Sequence, residues 1–377
     1  MVQIRLPVEL VMLVLEQAYY DKKGFPDRPT LNTCALVCKD WSPLAQRLLL
    51  HHVEVPASAR RDAFRAALFS LNDGRAHTLA ASVRRASFRI TSPSDEDDLV
   101  RLVGHCRHLY ELVLRVSGVH AFRNATIQAL GQSAITERTT PLRALVLHQC
   151  GVQSPILYQL LAVWPTIQFL RLGFELAAPA PQTIRTAAKL YELVLYRTPS
   201  LRAMSWILSA SKGTLRILEC HAMPSADYNE ILDEYTEHLL SLRIRQSPRT
   251  AQFIRKCVSL RELVFIQLST FLPLGELPQS IEHLAIRYIP GVSTEIPTSI
   301  ISAVDKLPRL RLISCDVYST EDPNYPALKE KCREKAVVLD HNVVPFQQYD
   351  DPIPLIRYPR GRSVDNFRYM DTGAWQD

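Results

Sequence analysis

One short apolar sequence motif, which we call a word, recurs nine times between residues 109 and 315 of the 377-residue chain. Each copy has apolar residues at its first, fourth and sixth positions. The copies begin 21 to 33 residues apart, at Leu109, Leu142, Ile167, Leu190, Leu215, Leu239, Leu260, Ile281 and Leu310. This period is typical of repeat proteins in which each repeat is one strand and its return connection. A single repeat cannot bury its apolar side alone, so the repeats must stack and share one core.

Local sequence predicts the elements of this array. The words predict short strands, and the alternating stretch 82–90 predicts a further strand that caps the array. Helices are predicted between words at 155–164, 201–211, 228–235 and 296–306, and after the last word at 326–335. The interval 270–280 contains two prolines and predicts irregular backbone. An all-helical array is the competing fold, but Leu, Val and Ile at strand spacing, bounded by Pro, Gly and Thr, favour strands.

The pattern L-x-x-L-x-L at this period resembles the leucine-rich repeat, and the stretch 142–152 matches the repeat as far as its turn. The resemblance implies an α/β fold, a solenoid of short parallel strands and helices, over residues 56–340. The third, fifth and seventh positions of the words would then line a concave face. Residues 341–377 carry four prolines and mixed charge, which predicts an extended or disordered tail.

Residues 6–53 have a different composition and predict three short helices, at 8–20, 31–38 and 41–50. Pro7 suits a first helical turn, and Thr30 is expected to cap the second helix. The first helix has apolar residues on more than one face, as buried helices do. So small a unit buries too little surface to cover all of these residues itself. The surplus must pack against the rest of the chain, against a partner, or against both.

Two word groups in this stretch, L-P-x-E-L from Leu6 and L-V-C-K-x-W from Leu36, resemble an F-box over roughly residues 4–55. F-box domains bind the Skp-type adaptor of cullin-based ubiquitin ligases through helical faces. The resemblance implies an F-box domain at residues 1–55. It also implies that the adaptor surface, or its immediate support, is formed by Leu6, Pro7, Leu10, Leu13, Leu31, Cys34, Val37, Cys38 and Trp41. A plain helical cap on the array would use the same residues and is the alternative.

An F-box joined to leucine-rich repeats resembles the substrate receptors of SCF-type ubiquitin ligases, whose repeats bind the protein to be modified. On the predicted concave face we expect cationic and aromatic side chains to contact an acidic or phosphorylated segment of that target, because Arg binds such groups bidentately. These side chains are Arg171, Tyr196, Arg243, Arg245 and Arg287. The alternatives are a solvated charged face without a ligand, and a repeat scaffold that works outside any ligase.

Composition argues against several other classes of protein. The net charge is only +6 and the basic residues are dispersed, so nucleic-acid binding is not predicted. No apolar run reaches the length needed to cross a bilayer. The eight cysteines are scattered and the first residues lack a signal-peptide pattern. We therefore expect reduced thiols and a cytoplasmic or nuclear protein.

Catalytic and metal-binding motifs are few. The sequence contains no G-x-x-x-x-G-K, G-x-G-x-x-G, H-E-x-x-H or C-x-x-C motif. His105, Cys106 and His108 lack a second ligand pair, so we interpret them as polar residues at a helix end. The acids at 95–98 are interpreted as a helix N-terminus, which Ser94 could cap, rather than as a metal site. We expect a non-enzymatic adaptor without cofactor or metal, although catalytic triads are spatial and escape sequence motifs.

Overall fold

The computed structural model describes residues 6–19, 26–55, 64–65, 74–135, 142–183, 185–221, 226–245, 250–266, 277–287, 296 and 298–342. The chain divides into two compact units, of which the first ends at Ile167 and the second begins at Gln168. Each unit combines parallel strands with helices, so the predicted α/β class is confirmed. The predicted tail, apart from residues 341 and 342, and most of the interval 270–280 lie outside the described residues.

Four parallel strands form the sheet of the first unit. Neighbours in the chain are neighbours in the sheet, in the order β1 His52–Glu54, β2 Arg85–Ile90, β3 Glu111–Val116 and β4 Ala144–Gln149. Strand β2 confirms the strand predicted at 82–90. Strand β1 was not predicted and lies inside the proposed F-box segment, so the strands begin earlier in the chain than the words indicate.

Eight parallel strands follow in the second unit, again in chain order. They are β5 Phe169–Leu172, β6 Glu192–Leu195, β7 Ile217–Cys220, β8 Ser241–Arg245, β9 Glu262–Ile266, β10 His283–Arg287, β11 Leu312–Asp316 and β12 Val338–Asn342. Each of the nine words forms one strand, β3 to β11, and every one of these strands begins at the third position of its word. Third positions pair with third positions from β5 to β11, so the repeat alignment gives the strand register directly.

Helices connect most of the strands, as parallel pairing requires. The first unit contains α1 Val8–Gln17, α2 Arg28–Ala35, α3 Trp41–Leu49, α4 Gly74–Ser82, α5 Pro93–His105, α6 Asn124–Ile135 and α7 Ile156–Val163. The second contains α8 Leu201–Leu208, α9 Asn229–Asp233, α10 Thr250–Lys256, α11 Thr298–Lys306 and α12 Tyr325–Glu334. The helix predicted at 228–235 is shorter than expected, because 3₁₀ turns at Ala226–Tyr228 and Thr236–His238 flank α9.

Two predicted helix caps are corrected by the structure. Helix α2 begins before Thr30, because the Asp27 carboxylate caps it by accepting from the Thr30 N–H (3.0 Å) and hydroxyl (2.8 Å). Ser92, rather than Ser94, is the N-cap of α5, and its own N–H donates to the Asp95 carboxylate at 3.0 Å. In both cases an aspartate satisfies backbone N–H groups that the first helical turn leaves without a partner.

Apolar side chains at the fourth and sixth word positions form the core on the helix side of the strands. Leu112 and Leu114 on β3 are fully buried, as are Leu99 and Leu102 on α5. The third and fifth positions point to the opposite side of each strand, because side chains alternate along a strand. Many of these side chains are also buried, although several are polar or charged. This polar strand face is one of two candidate sites.

Candidate functional site

The first candidate site is the surface of the three N-terminal helices. Their small core contains Val11, Leu15 and Tyr19, which follow one another at intervals of four residues along α1 and its C-terminal turn. Leu31 from α2 and Leu48 from α3 complete it, together with Ala45. Residues four apart lie on the same side of a helix, so this core accounts for only one side of α1.

Seven large apolar side chains of the three N-terminal helices and their flanking residues face solvent instead. Seven of the eleven large hydrophobic residues that are exposed in the described chain lie here, with exposed fractions between 47 and 86%: Leu6, Val8, Leu10, Leu13, Val14, Leu36 and Val37. We call this set the apolar face. On soluble proteins, a cluster of exposed apolar side chains commonly marks a site of interaction with another molecule. The sequence predicts that this surplus apolar surface packs against the rest of the chain, against a partner, or against both; among the described residues, the rest of the chain does not cover it.

The nine residues that the F-box resemblance selects fall into two groups. Six are exposed, namely Leu6, Pro7, Leu10, Leu13, Val37 and Cys38. The other three lie beneath them: Leu31 is fully buried in the helical core, and Cys34 and Trp41 are half-buried against it. Adaptor contact by these nine residues, directly or as support, stays a prediction. Sequence reasoning missed Leu36, the most exposed residue of the apolar face, although it lies within the quoted word group.

Two consecutive histidines join these helices to the strands. The His51 carbonyl accepts from the N–H groups of Arg84 and Arg85, and His52 opens strand β1. Burial, together with the charges of Arg84 and Arg47, lowers the pKa of His51 from 6.5 to about 4. Burial and the charges of Arg85 and Arg28 lower the pKa of His52 to about 3. Both imidazoles are therefore neutral at physiological pH, in surroundings that are already cationic.

Acidification should destabilise this junction. A histidine whose pKa is lower in the folded state stabilises the fold above pH 6.5, and this contribution is lost as the pH falls from 6.5 towards the folded value. At about pH 5 we expect His51 alone to cost roughly 2 kcal/mol of unfolding free energy. Urea unfolding at about pH 7.5 and about pH 5 measures it. His51→Gln should reduce the loss of unfolding free energy between these two pH values by about that amount. An equal loss in the wild type and the variant would contradict the assignment of this pH dependence to His51.

The second candidate site is a polar network on the strand face of the second unit. It begins at Arg171 on β5, whose guanidinium carbon lies 5.6 Å from the centroid of the Tyr196 ring. Tyr196 stacks on His221 with the two ring centroids 4.3 Å apart. The His221 Nε2 atom lies 2.6 Å from a Glu219 carboxylate oxygen on β7. Positions far apart in sequence thus come together because the strands lie side by side in register.

Arg243 joins two buried carboxylates in the middle of this network. Its guanidinium lies 3.7 Å from Glu219 on the neighbouring strand β7 and 3.7 Å from Glu262 on β9. Burial raises the pKa of the Glu219 carboxyl, but the hydrogen bond with His221 and the charges of Arg243 and Arg171 lower it by more. The net effect is a lowered pKa, so Glu219 is an ionised, buried partner of Arg243.

Glu262 begins a second cluster that extends to β11. One of its oxygens accepts from the Ser241 hydroxyl at 2.5 Å, and the other lies 3.2 Å from His283 Nδ1. The second ring nitrogen of His283 lies 2.9 Å from the Ser314 hydroxyl oxygen. A carboxylate, an imidazole and a hydroxyl therefore form a continuous chain across β9, β10 and β11.

The five residues predicted to contact a target have different positions in the structure. Arg171, Tyr196 and Arg243 belong to the network and are only 4–6% exposed. The expected open cationic track is thus a buried network at these three positions, and at Arg243 acids on both neighbouring strands lie within ion-pair distance. Arg245 and Arg287 end strands β8 and β10, and their side chains lie outside what the structure describes. Target contact by these five residues stays a prediction.

Three of the residues weighed as metal ligands have other partners in the structure. His105 Nδ1 lies 2.8 Å from the Arg101 carbonyl one turn earlier in α5. Glu96 accepts from the Thr126 hydroxyl at 2.6 Å, and Asp98 forms an ion pair with Arg65 at 2.5 Å. Across the described ranges, no group of three or more His, Cys, Asp or Glu side chains is arranged to hold a metal ion.

No model of a known protein family matches the chain, and no curated protein matches its sequence. The described residues include no helix long and apolar enough to cross a membrane.

Proposed function

We propose that the N-terminal helices are an F-box that docks on a Skp-type adaptor, and that the strand–helix array is a set of leucine-rich repeats that binds a target protein. The observation that carries the proposal is the apolar face. Five of its seven residues lie within the two word groups of the F-box resemblance, and all seven are exposed although burying them would be favourable.

The energetics of the apolar face favour a protein partner. Covering a half-exposed Leu or Val contributes roughly 1 kcal/mol, so seven such residues offer on the order of 7 kcal/mol before the costs of association. A helical partner suits this surface, because Leu10 and Leu13 on α1 lie three residues apart and present a ridge that can enter a groove of another helix.

The proposed mechanism is proximity rather than catalysis by this chain. An adaptor bound at the N-terminal helices and a target bound by the array would belong to one assembly. A lysine of the target would then meet the charged conjugating enzyme at a raised effective concentration. In this scheme the chain supplies two binding surfaces, and ubiquitin transfer occurs on its partners.

Affinity purification tests the proposal. The tagged chain, isolated from its own cells, should bring both a Skp-type adaptor and a cullin. A variant with Leu10→Asp and Leu13→Asp should bring neither, while Val258→Asp, at an even more exposed apolar position on the second unit, should bring both. Recovery of the adaptor without a cullin would favour a scaffold outside the ligase. Recovery of neither from the wild type would reduce the N-terminal helices to a cap on the array.

A further inference from the structure

The chain Glu262–His283–Ser314 has the connectivity of a hydrolase triad. Glu262 and His283 are direct register partners on β9 and β10, which brings the carboxylate to 3.2 Å from Nδ1. Ser314 lies on β11, two residues beyond the register partner of His283, and its hydroxyl oxygen is 2.9 Å from Nε2. In a Ser–His–acid triad the nucleophile likewise contacts one ring nitrogen of the base, and the acid contacts the other.

The chemistry of the three groups fixes the direction of each hydrogen bond. An ionised carboxylate can only accept, so His283 must donate its Nδ1–H to Glu262. In the neutral imidazole Nε2 then carries the lone pair, and the Ser314 hydroxyl must donate to it. This tautomer is the one in which a histidine can remove the proton of a serine as that serine attacks an electrophile.

The surroundings of Glu262 hold it in this role. Its Oε1 atom accepts from the Ser241 hydroxyl at 2.5 Å and lies 3.7 Å from the Arg243 guanidinium. Both contacts favour the ionised carboxylate and leave Oε2 for His283. The far end of the chain is less enclosed: the His283 side chain is 14% exposed and Ser314 is 9% exposed. Because Ser314 is nearly buried, we expect only a small acyl donor to reach its hydroxyl.

We propose that Ser314 is a nucleophilic serine that accepts an acyl group from activated esters, with His283 as its general base and Glu262 as the positioning residue for His283. The Ser314 oxygen attacks the ester carbonyl carbon, and its proton passes to Nε2. The bond from that carbon to the alcohol or thiol leaving group breaks, and the leaving group departs with that proton. Water then hydrolyses the acyl-serine by the same route, regenerating Ser314. This site is independent of the adaptor surface.

The backbone limits the class of substrate. Strand β11 pairs with β10 on one side and with β12 on the other, so the ladder occupies its N–H groups. They are therefore not available as a main-chain oxyanion hole, which in serine hydrolases contributes a large part of the rate. Aryl esters and thioesters need less of this stabilisation because their leaving groups depart readily. We therefore assign the site to activated acyl donors rather than to amides or alkyl esters.

The experiment uses the full chain and p-nitrophenyl acetate as the probe. Acetyl groups are located by peptide mass spectrometry at increasing times, in the folded protein and in protein unfolded by urea. Ser314 should acetylate at least about 100-fold faster in the folded protein than in the unfolded one, which is the low end of general-base catalysis. Ser302, an exposed serine whose hydroxyl donates to the Ser299 carbonyl, is the internal control.

Variants separate catalysis from structure. His283→Ala should slow Ser314 acetylation about 100-fold and abolish the rise in rate with pH that deprotonation of an imidazole produces. Ser302→Ala should leave the Ser314 rate unchanged. Equal acetylation rates of Ser314 and Ser302 in the folded wild type would overturn the proposal, and this comparison requires no variant to fold. An unchanged rate and pH profile in a folded His283→Ala protein would overturn it as well.

Discussion

Replacing Leu10 and Leu13 together by Asp should weaken binding of the purified Skp-type adaptor at least about 1000-fold, and should leave the fold intact. Both side chains are about half exposed, so the substitution removes nothing from the helical core. In the proposed complex each aspartate would be buried in an apolar interface without a partner, which costs several kcal/mol. Two such sites exceed the roughly 4 kcal/mol that a 1000-fold change requires. Isothermal titration calorimetry measures the affinity directly.

A variant in the helical core tests whether weaker adaptor binding arises from the altered surface or from reduced stability. Leu31 matches the same F-box motif but is fully buried, so Leu31→Ala should lower the unfolding free energy by about 2–5 kcal/mol through the cavity it leaves. The fraction of Leu31→Ala that remains folded should bind the adaptor with nearly normal affinity. Normal affinity for the Leu10→Asp, Leu13→Asp protein would instead show that the apolar face is not the adaptor surface.

The strand register could be predicted from the sequence because the repeat carries it. Each word places two apolar residues on its strand, at the fourth and sixth positions, and a strand that slipped by one residue would turn both away from the core. Aligning the words therefore aligns Glu192, Ile217, Ser241 and Glu262 in one row, and the structure places them in that row. The same reasoning fails for helix ends, where one side chain such as Asp27 decides the first turn.

The burial of the strand face could not be predicted in this way. A charged residue at a third or fifth position, considered alone, is expected to face solvent. Arg243 is buried because strands about 4.8 Å apart bring Glu219 and Glu262 to either side of it, and this depends on the combination of three repeats. Periodicity within one repeat contains no such information. Leu10 is the opposite case: its apolar character indicated that it would be buried, but not whether this chain or a partner would bury it.

The Glu262–His283–Ser314 chain could have been found in the sequence, although by an unusual signal. Its members are separated by 21 and 31 residues, so no local motif connects them. Two of them, however, occupy adjacent third positions, and the third occupies the fifth position of the next word. A search for acid, imidazole and hydroxyl groups in neighbouring rows of aligned words would have selected them. In this repeat array, the arrangement is therefore visible in the alignment of repeats rather than along the chain.

Arg243→Ala should be the most destabilising single substitution on the strand face, lowering the unfolding free energy by about 3–5 kcal/mol. It leaves Glu219 and Glu262 buried without the cation between them, and breaking a buried ion pair by removing one partner has a cost of this size. Urea unfolding at neutral pH measures the loss. Arg202→Ala, an exposed arginine on α8, should change stability by no more than about 0.5 kcal/mol.

The pH dependence and a compensating variant identify the cause of this loss. In the wild type the lowered pKa of Glu219 means that its stabilising contribution is present above its ordinary value of 4.5 and is lost as the pH falls below it. In Arg243→Ala the acids gain by taking up protons, so the difference in stability between the two proteins should shrink below about pH 4.5. Adding Glu219→Gln and Glu262→Gln to Arg243→Ala should recover most of the loss at neutral pH, because neutral amides need no buried cation. A deficit that persists in this triple variant, and at low pH, would assign the effect to lost packing of the Arg243 side chain rather than to uncompensated charge.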